Sequence, residues 1–426
     1  MPEISIPYCK KKIVVNIPET ISYEFILPKA IAPVEDEMKT IEESIFHPIK
    51  SKRLCEMVSP DSKIAIIVTD ITRYAHEEKI VPYLLKELKK GGSKNENIKI
   101  VIANGAHRPN TTKEIEEIIG KNIAEKIKVI NHNSNVAEEL LSFGKSPKGI
   151  PVIINKEVAE ADIRISTGVI EPHIFAGYSG GVKSLAVGVA GIETIAATHN
   201  ARMLDHPQTR IGVIEGNIFR KFLEEIAMTV GLDFIVNVVQ DGEKRLIKVV
   251  AGNPIEAHKE GVITARKLYE VKIEHPADIV ISVPGYPKDR NLYQATRAAN
   301  NVFFSPKPII KKGGTIIIPA TCPEGIGNNE FYKRMKVASS IEEILEKGRK
   351  DGFPPEEHKA FTLAKILQRA NIFITNTLIS KEVLYEINLK WSNTIEEALN
   401  LSLNKKDNNF HLLVIPYGII TIPILT

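Results

Sequence analysis

Disulfide chemistry has almost nothing to work with in this sequence. Its three cysteines, Cys9, Cys55 and Cys322, are odd in number, widely scattered and form no C-x-x-C pair. That excludes a disulfide framework and a cysteine-based zinc site, and fits a reducing cytosol, so a cytoplasmic protein is expected. Charge of neither sign dominates: 56 Lys and Arg against 52 Asp and Glu leave +4, too mild and too dispersed for a nucleic-acid footprint. No uninterrupted apolar run approaches the roughly 20 residues of a membrane helix. The start, Met1-Pro2-Glu3-Ile4-Ser5, lacks the basic and apolar regions of a signal peptide. Neither nucleic acid nor membrane is therefore expected as a partner. Familiar catalytic motifs are missing too. There is no G-x-G-x-x-G after the first strand, no H-E-x-x-H and no G-x-S-x-G, and Gly177-Tyr178-Ser179-Gly180-Gly181-Val182-Lys183-Ser184 has the Lys-Ser of a P-loop after the wrong spacing.

What is present is length and alternation. A chain of 426 residues should make two or three domains. Apolar runs at Lys63–Thr69, Ile98–Ala103, Ile127–Ile130 and Ile163–Thr167 read as strands, with helices between them at Ile80–Lys90 and up to Ile119, the latter capped by Thr111 or Thr112. Further on, Ile192–Leu204, Ile218–Val230 and Pro254–Tyr269 read as helices, and Phe234–Val239 with Leu246–Val250 as a hairpin. Near His275-Pro276 the pattern restarts, because Ala277-Asp278-Ile279-Val280-Ile281-Ser282 echoes Ala161-Asp162-Ile163-Arg164-Ile165-Ser166. The expectation is an α/β protein of two domains, residues 1–272 and 273–426, each with a mostly parallel sheet flanked by helices. The last strand, residues 411–416, is left open between them.

The stretch from Ser166 to Asn200 carries Gly168, Gly177, Gly180, Gly181, Gly188 and Gly191 together with His173, Lys183 and His199. Glycine at that density suits backbone wrapped closely round a ligand. Polar clusters stand directly after strands: Asp70 with Thr72 and Arg73, Asn104 with His107 and Arg108, and Gly168 with His173. In open α/β sheets ligands bind beyond the carboxyl ends of strands, which puts the active site in a crevice between the domains. Tyr293, Gln294 and Arg297 lie on the first helix of the second domain and could close it. Each residue has a plainer reading. Arg73 after a strand is more often a surface ion pair, His107 and Arg108 could be turn residues, Lys183 could be exposed, and His199 could be a capping histidine. His47, His76, His132, His206, His258, His275 and His411 are assigned to that ordinary class. Clustered ligands are too few to hold a metal alone, since catalytic sites use about three.

These segments resemble the nickel-dependent lactate racemase family over nearly the whole chain. The marks are Asp70-Ile71-Thr72-Arg73, Asn104-Gly105-Ala106-His107-Arg108-Pro109, Glu171-Pro172-His173, Ala176–Ser184, Thr198-His199-Asn200, and Gly285-Tyr286-Pro287-Lys288-Asp289 followed by Tyr293-Gln294-Ala295. The resemblance implies a racemase or epimerase holding a nickel-pincer nucleotide, linked through a thioamide to Lys183, with His199 as the protein's nickel ligand. It implies that His107 and His173 are the acid–base pair on opposite faces of the substrate while hydride moves to and from the cofactor. Arg73, Arg297 and Arg108 are then expected to bind substrate, and Asp70, Thr72, Tyr293, Gln294, Gly180, Gly181 and His358 to contact the cofactor. The small-molecule partner would be a 2-hydroxy acid or sugar acid, and cofactor-making enzymes would be partners; a homo-oligomer is left open.

Departures from the family pattern bear on the substrate. Lactate-acting members carry Lys where this chain has Arg297, and a Trp near Glu357 where it has His358; the single tryptophan, Trp391, lies elsewhere. Ala186-Val187 replaces a Leu-Pro before Gly188. These changes point away from lactate itself and toward a longer or more acidic acid. Two other readings stand beside the racemase: a non-catalytic protein that stores a nickel cofactor or nucleotide, and a metal-free lysine Schiff-base enzyme.

Overall fold

The computed structural model describes residues 2–19, 21–353, 357–403 and 410–426. Its first six-stranded sheet runs, edge to edge, Leu246–Gly252, Phe234–Gln240, Ile163–Val169, Ile64–Thr69, Ile98–Ala103 and Lys128–Asn131. All neighbours are parallel except the hairpin of the first two. The central strand Ile64–Thr69 is buried along its whole length, as expected where helices cover both faces of a parallel sheet.

The second sheet runs Lys390–Ser392, Asn371–Thr375, Ile310–Pro319, Ala277–Ser282, Phe410–Ile415 and Ile21–Phe25, every pair parallel. The strand that the sequence left open therefore pairs with Ala277–Ser282 in this sheet. The first residues of the chain also join it. Ile21–Phe25 forms its edge, and the hairpin Glu3–Tyr8 with Lys11–Asn16 buries Ile4, Ile6 and Val15 against Ile279, Ile281 and Val414. Nothing local in the sequence marks that return, because the partners lie almost 390 residues apart. A short parallel pair, Glu270–Ile273 with Ile422–Leu425, ties the chain's end to the connection between the sheets.

Two expected helices are each broken in two. Residues 192–204 form Ile192–Thr198 and Ala201–Asp205, with Asn200 capping the second by accepting from Met203 N at 3.1 Å. Residues 291–303 form Leu292–Ala295 and Ala298–Phe303. The breaks set His199 and Arg297 at helix ends, free of helical direction. The stretch between Ile130 and Ile163, read as irregular, contains the hairpin Leu140–Lys145 with Pro151–Asn155.

One buried carboxylate joins the strand ends that carry the polar clusters. Glu77, 2% exposed, accepts from Thr69 N at 3.1 Å, Thr69 Oγ1 at 2.6 Å, Thr167 Oγ1 at 3.2 Å and Ala75 N at 3.1 Å. Burial pushes its carboxyl up to about 7, although the donors from Thr69 and Thr167 oppose it. A carboxyl raised on folding contributes stability that is whole below its unfolded value and is lost as pH rises through the folded one. Denaturant midpoints should therefore fall between pH 5 and pH 8, and Glu77→Gln should flatten that slope. An unchanged slope in the variant would show that other groups carry it.

Candidate active site

The floor of the crevice is the glycine-rich segment laid across the carboxyl ends of the central strands. Gly105 N donates to Gly188 O at 2.8 Å, and a Cβ on Gly188 would stand 2.5 Å from the Ala103 Cβ. Only glycine allows that approach. Between them the segment forms a short hairpin, Pro172–His173 with Gly177–Tyr178, and a π-helical turn, Ser184–Gly188, which Lys183 opens. Thr69, Asp70, Arg73, Gly168, Gly180 and Lys183 line one cleft there.

Asp70, buried directly after its strand, accepts from Thr72 Oγ1 at 2.7 Å and lies 2.6 Å from His107 Nδ1. Burial would raise the Asp70 carboxyl, but the bonds to His107 and Thr72 and the charge of Arg73 hold it below its usual range. An ionised carboxylate can only accept, so His107 carries its proton on Nδ1 and presents a lone pair at Nε2. The His107 side chain is 59% exposed, within reach of a ligand.

His173 is set the other way. Its Nδ1 accepts from Phe175 N at 3.3 Å and Ala176 N at 3.1 Å, which leaves the proton on Nε2. Burial drives its pKa well down, and Lys183, Arg73, His199 and Arg297 push the same way. The two histidines therefore differ in kind: one offers an acceptor, the other a donor.

Lys183 is brought down to about 7, by burial first and by Arg73, with Asp70 and Glu171 opposing. A neutral amine at that pH is a nucleophile rather than a counter-ion. His199, 8% exposed, directs Nδ1 at Ile195 O at 3.1 Å. That bond places the proton on Nδ1 and leaves Nε2 a lone pair, the state in which histidine ligates metals. Burial takes its pKa to about 3. Phe175, Phe219 and His358 surround the ring at 5.5, 5.0 and 6.0 Å between centroids. His358 thus comes from the second domain to the side of His199 and Phe175. Among the described residues no three His, Cys, Asp or Glu side chains gather as a metal cage.

Arg73 is paired with Glu171, a residue that strand-end reasoning passed over although it stands two positions before His173. Burial works to raise Glu171, yet Arg73, Lys244, Arg297 and Lys288 outweigh it and hold it low. Lys288 itself is lowered to about 7 by burial and by Arg297 and Arg73. Arg297 donates to Gln294 Oε1 at 3.2 Å, and the Tyr293 ring packs edge-on to Phe331 at 5.5 Å. Arg108 is not brought into the crevice: it turns to solvent, 64% exposed, and forks onto Glu114 at 2.8 and 2.5 Å. Lys359, on the helix that His358 begins, was not foreseen; its Nζ is buried and has no hydrogen-bond partner among the described residues. The guanidiniums of Arg73 and Arg297 converge with the depressed amines of Lys183 and Lys288, which a bound anion would hold charged, beside Asp70 and Glu171, a setting that suits an anion.

Fold and site together define a two-domain α/β protein whose Asp70, Arg73 and Lys183 line one cleft at the strand ends. The chain matches the family model of the lactate racemase N-terminal domain over residues 8–212 and that of the C-terminal domain over residues 272–423. It is 32% identical over 428 residues to the lactate racemase of Thermoanaerobacterium thermosaccharolyticum, covering 98% of each chain. It is also 32% identical over 429 residues to that of Lactiplantibacillus plantarum, covering 98% of this chain and 99% of the other. The structure of the T. thermosaccharolyticum lactate racemase apoprotein superposes with a TM-score of 0.88 at 30% identity, over 99% of this chain and 100% of that one. A Thermotoga maritima protein shares the fold, with a TM-score of 0.69 at 20% identity. The chain belongs to the lactate racemase family and is an isomerase, a racemase. Nickel dependence is characteristic of that family.

Trace acylation of the apoprotein across a pH series, read lysine by lysine by mass spectrometry, should place the Lys183 midpoint near 7. A midpoint near that of surface lysines would contradict the burial described here.

Proposed function

We propose that the protein inverts the hydroxyl-bearing carbon next to a carboxylate in a 2-hydroxy acid, using a nickel-pincer nucleotide joined to Lys183. The observation that carries this reading is the opposite protonation pattern of two histidines, His107 an acceptor through Asp70 and His173 a donor through two backbone amides, with a lysine depressed to about 7 beside Asp70.

The residues fit the cofactor. His199 offers one lone pair at Nε2 and would hold the nickel; with no protein cage beside it among the described residues, the cofactor's own soft donors would have to complete the coordination. Lys183 has the neutral amine that a thioamide link requires. The surplus of cations suits a phosphate as well as a substrate carboxylate. When bound, the cofactor would supply a hydride acceptor, so that the weakly acidic C–H bond of a hydroxy acid need not be ionised.

The protein's share is binding and proton traffic. Arg297, with Arg73 where Glu171 yields it, orients the carboxylate by forked hydrogen bonds. His107 Nε2 takes the hydroxyl proton, and Asp70 stabilises the imidazolium that forms. His173 Nε2–H faces the oxygen from its own side after the carbonyl compound turns over. Returning a proton there requires His173 to be charged, which the neighbouring cations disfavour; a bound carboxylate and phosphate offset them. Inversion needs an acid–base group on each side of one carbon, and this pair supplies them. Arg297, with Arg73 and the Lys288 amine near it, offers more donors than one carboxylate needs, which supports an acid longer or more acidic than lactate.

Co-expression with cofactor-making enzymes should leave a nickel-bearing adduct on Lys183; its absence from holo-preparations would refute the reading. Chiral chromatography of a hydroxy-acid panel, with lactate as reference, should then identify the substrate. His107→Ala and His173→Ala should each cut inversion by about 10²–10⁴-fold with the adduct retained, and Asp70→Asn should lower kcat by up to about 10⁴-fold. Turnover in deuterium oxide should leave the C2 hydrogen unexchanged. Deuterium at C2 would replace hydride transfer with proton abstraction.

A further inference from the structure

Beneath the glycine turn, on the side away from the cleft, sits a buried group that no step above uses. Arg220, on the helix Ile218–Val230, and His258, on the helix Glu256–Tyr269, are each 2% exposed. Arg220 Nη2 lies 2.6 Å from His258 Nδ1 and 3.0 Å from its Nε2, and His258 Nε2 lies closer, at 2.8 Å, to Ser179 O. An arginine can only donate and a carbonyl can only accept, so His258 accepts at Nδ1 and donates at Nε2. Arg220 Nη1 also reaches Gly180 O at 3.4 Å and Tyr178 O at 3.5 Å. From the strand Phe234–Gln240, Asn237 Oδ1 accepts from Gly181 N at 2.6 Å.

Peptide groups of residues 178 to 181 are thus held in succession by side chains from three separate elements. The turn rests directly on them. A Cβ at Gly181 would meet Arg220 Nη2 at 2.7 Å and His258 Cδ2 at 2.9 Å, and one at Gly180 would meet Asn237 Oδ1 at 2.7 Å. Both glycines have positive φ, 75° at Gly180 and 60° at Gly181, a conformation that a loose loop would not keep on its own. Burying a guanidinium is costly. Its ion partner, Glu224 Oε1, stands 3.3 Å from Nε, a poor return for an arginine that serves only to pair. What the cation does achieve is to fix the carbonyls of Tyr178 and Gly180, five and three residues before Lys183.

We propose that Arg220, His258 and Asn237 are positioning residues for Lys183: acting through the backbone of residues 178–181, they fix where its amine emerges in the crevice and keep it in its buried environment. The proposal rests on Lys183 as the attachment point for the cofactor, and adds the machinery that holds it there.

The test uses the apoprotein, so its outcome does not depend on cofactor loading. Trace acetylation at pH 7.5 gives the rate at Lys183 relative to the surface residue Lys221. His258→Phe keeps the ring's bulk and loses both hydrogen bonds; His258→Gln keeps one donor and one acceptor. The relative rate should fall by about tenfold in the first and by less than about twofold in the second. Asn237→Ser, a smaller change, should lower it as well and carries the same test should His258→Phe not fold. An unchanged rate in a folded His258→Phe or Asn237→Ser protein would overturn the clamp. Failure of co-expression to place an adduct on a normally reactive Lys183 would instead overturn the attachment reading.

Discussion

The close approach of two backbones governs this structure. Gly188 meets Ala103 at a distance that admits no side chain, and the Gly105–Gly188 hydrogen bond fastens that contact. The glycine-rich segment can therefore lie across the ends of the central strands instead of looping away from them. Everything chemical follows from that placement. Asp70 and Arg73 come up from one strand end, His107 from the next, and Lys183 descends from the segment to the same cleft. A side chain at position 188 would separate the lysine from the carboxylate and histidine that it works beside.

Given that placement, hydrogen bonds preset the chemistry. A carboxylate fixes the His107 proton on Nδ1; two backbone amides fix the His173 proton on Nε2; a backbone carbonyl fixes the His199 proton on Nδ1. Three imidazoles with nearly the same intrinsic pKa thereby offer different things: His107 an acceptor, His173 a donor, and His199 the lone pair that the proposed nickel ligation requires. Burial and the crowd of cations keep the inner two neutral. The same crowd suits the crevice to anions, and the second domain contributes Lys288 and Arg297 to it.

Much of this was legible in the sequence, for identifiable reasons. Apolar runs of five to seven residues followed by polar clusters located Asp70, Arg73 and His107, because strand ends in a parallel sheet converge on one edge. The density of glycine located the lysine turn. What escaped depends on contacts between distant positions. Ile21–Phe25 enters the second sheet through a partner near the other end of the chain. Glu171 is recognisable as the partner of Arg73 only once the hairpin is folded. His258, read as an ordinary histidine, is 79 residues from the carbonyl it holds, and no local pattern announces that. Arg108 differs from its neighbour: His107 meets Asp70, but Glu114, six residues on in the capping box of the next helix, pairs with the Arg108 guanidinium. Adjacent residues in a turn need not share a direction.

The opposed tautomers of His107 and His173 are the centre of the account, and nitrogen-15 NMR of the apoprotein reads them directly. Long-range proton–nitrogen spectra, assigned with single-histidine variants, should show His107 protonated at Nδ1 and His173 at Nε2. Finding both rings in the same tautomer would contradict the account, because acceptor and donor would then no longer be distinguished before substrate binds.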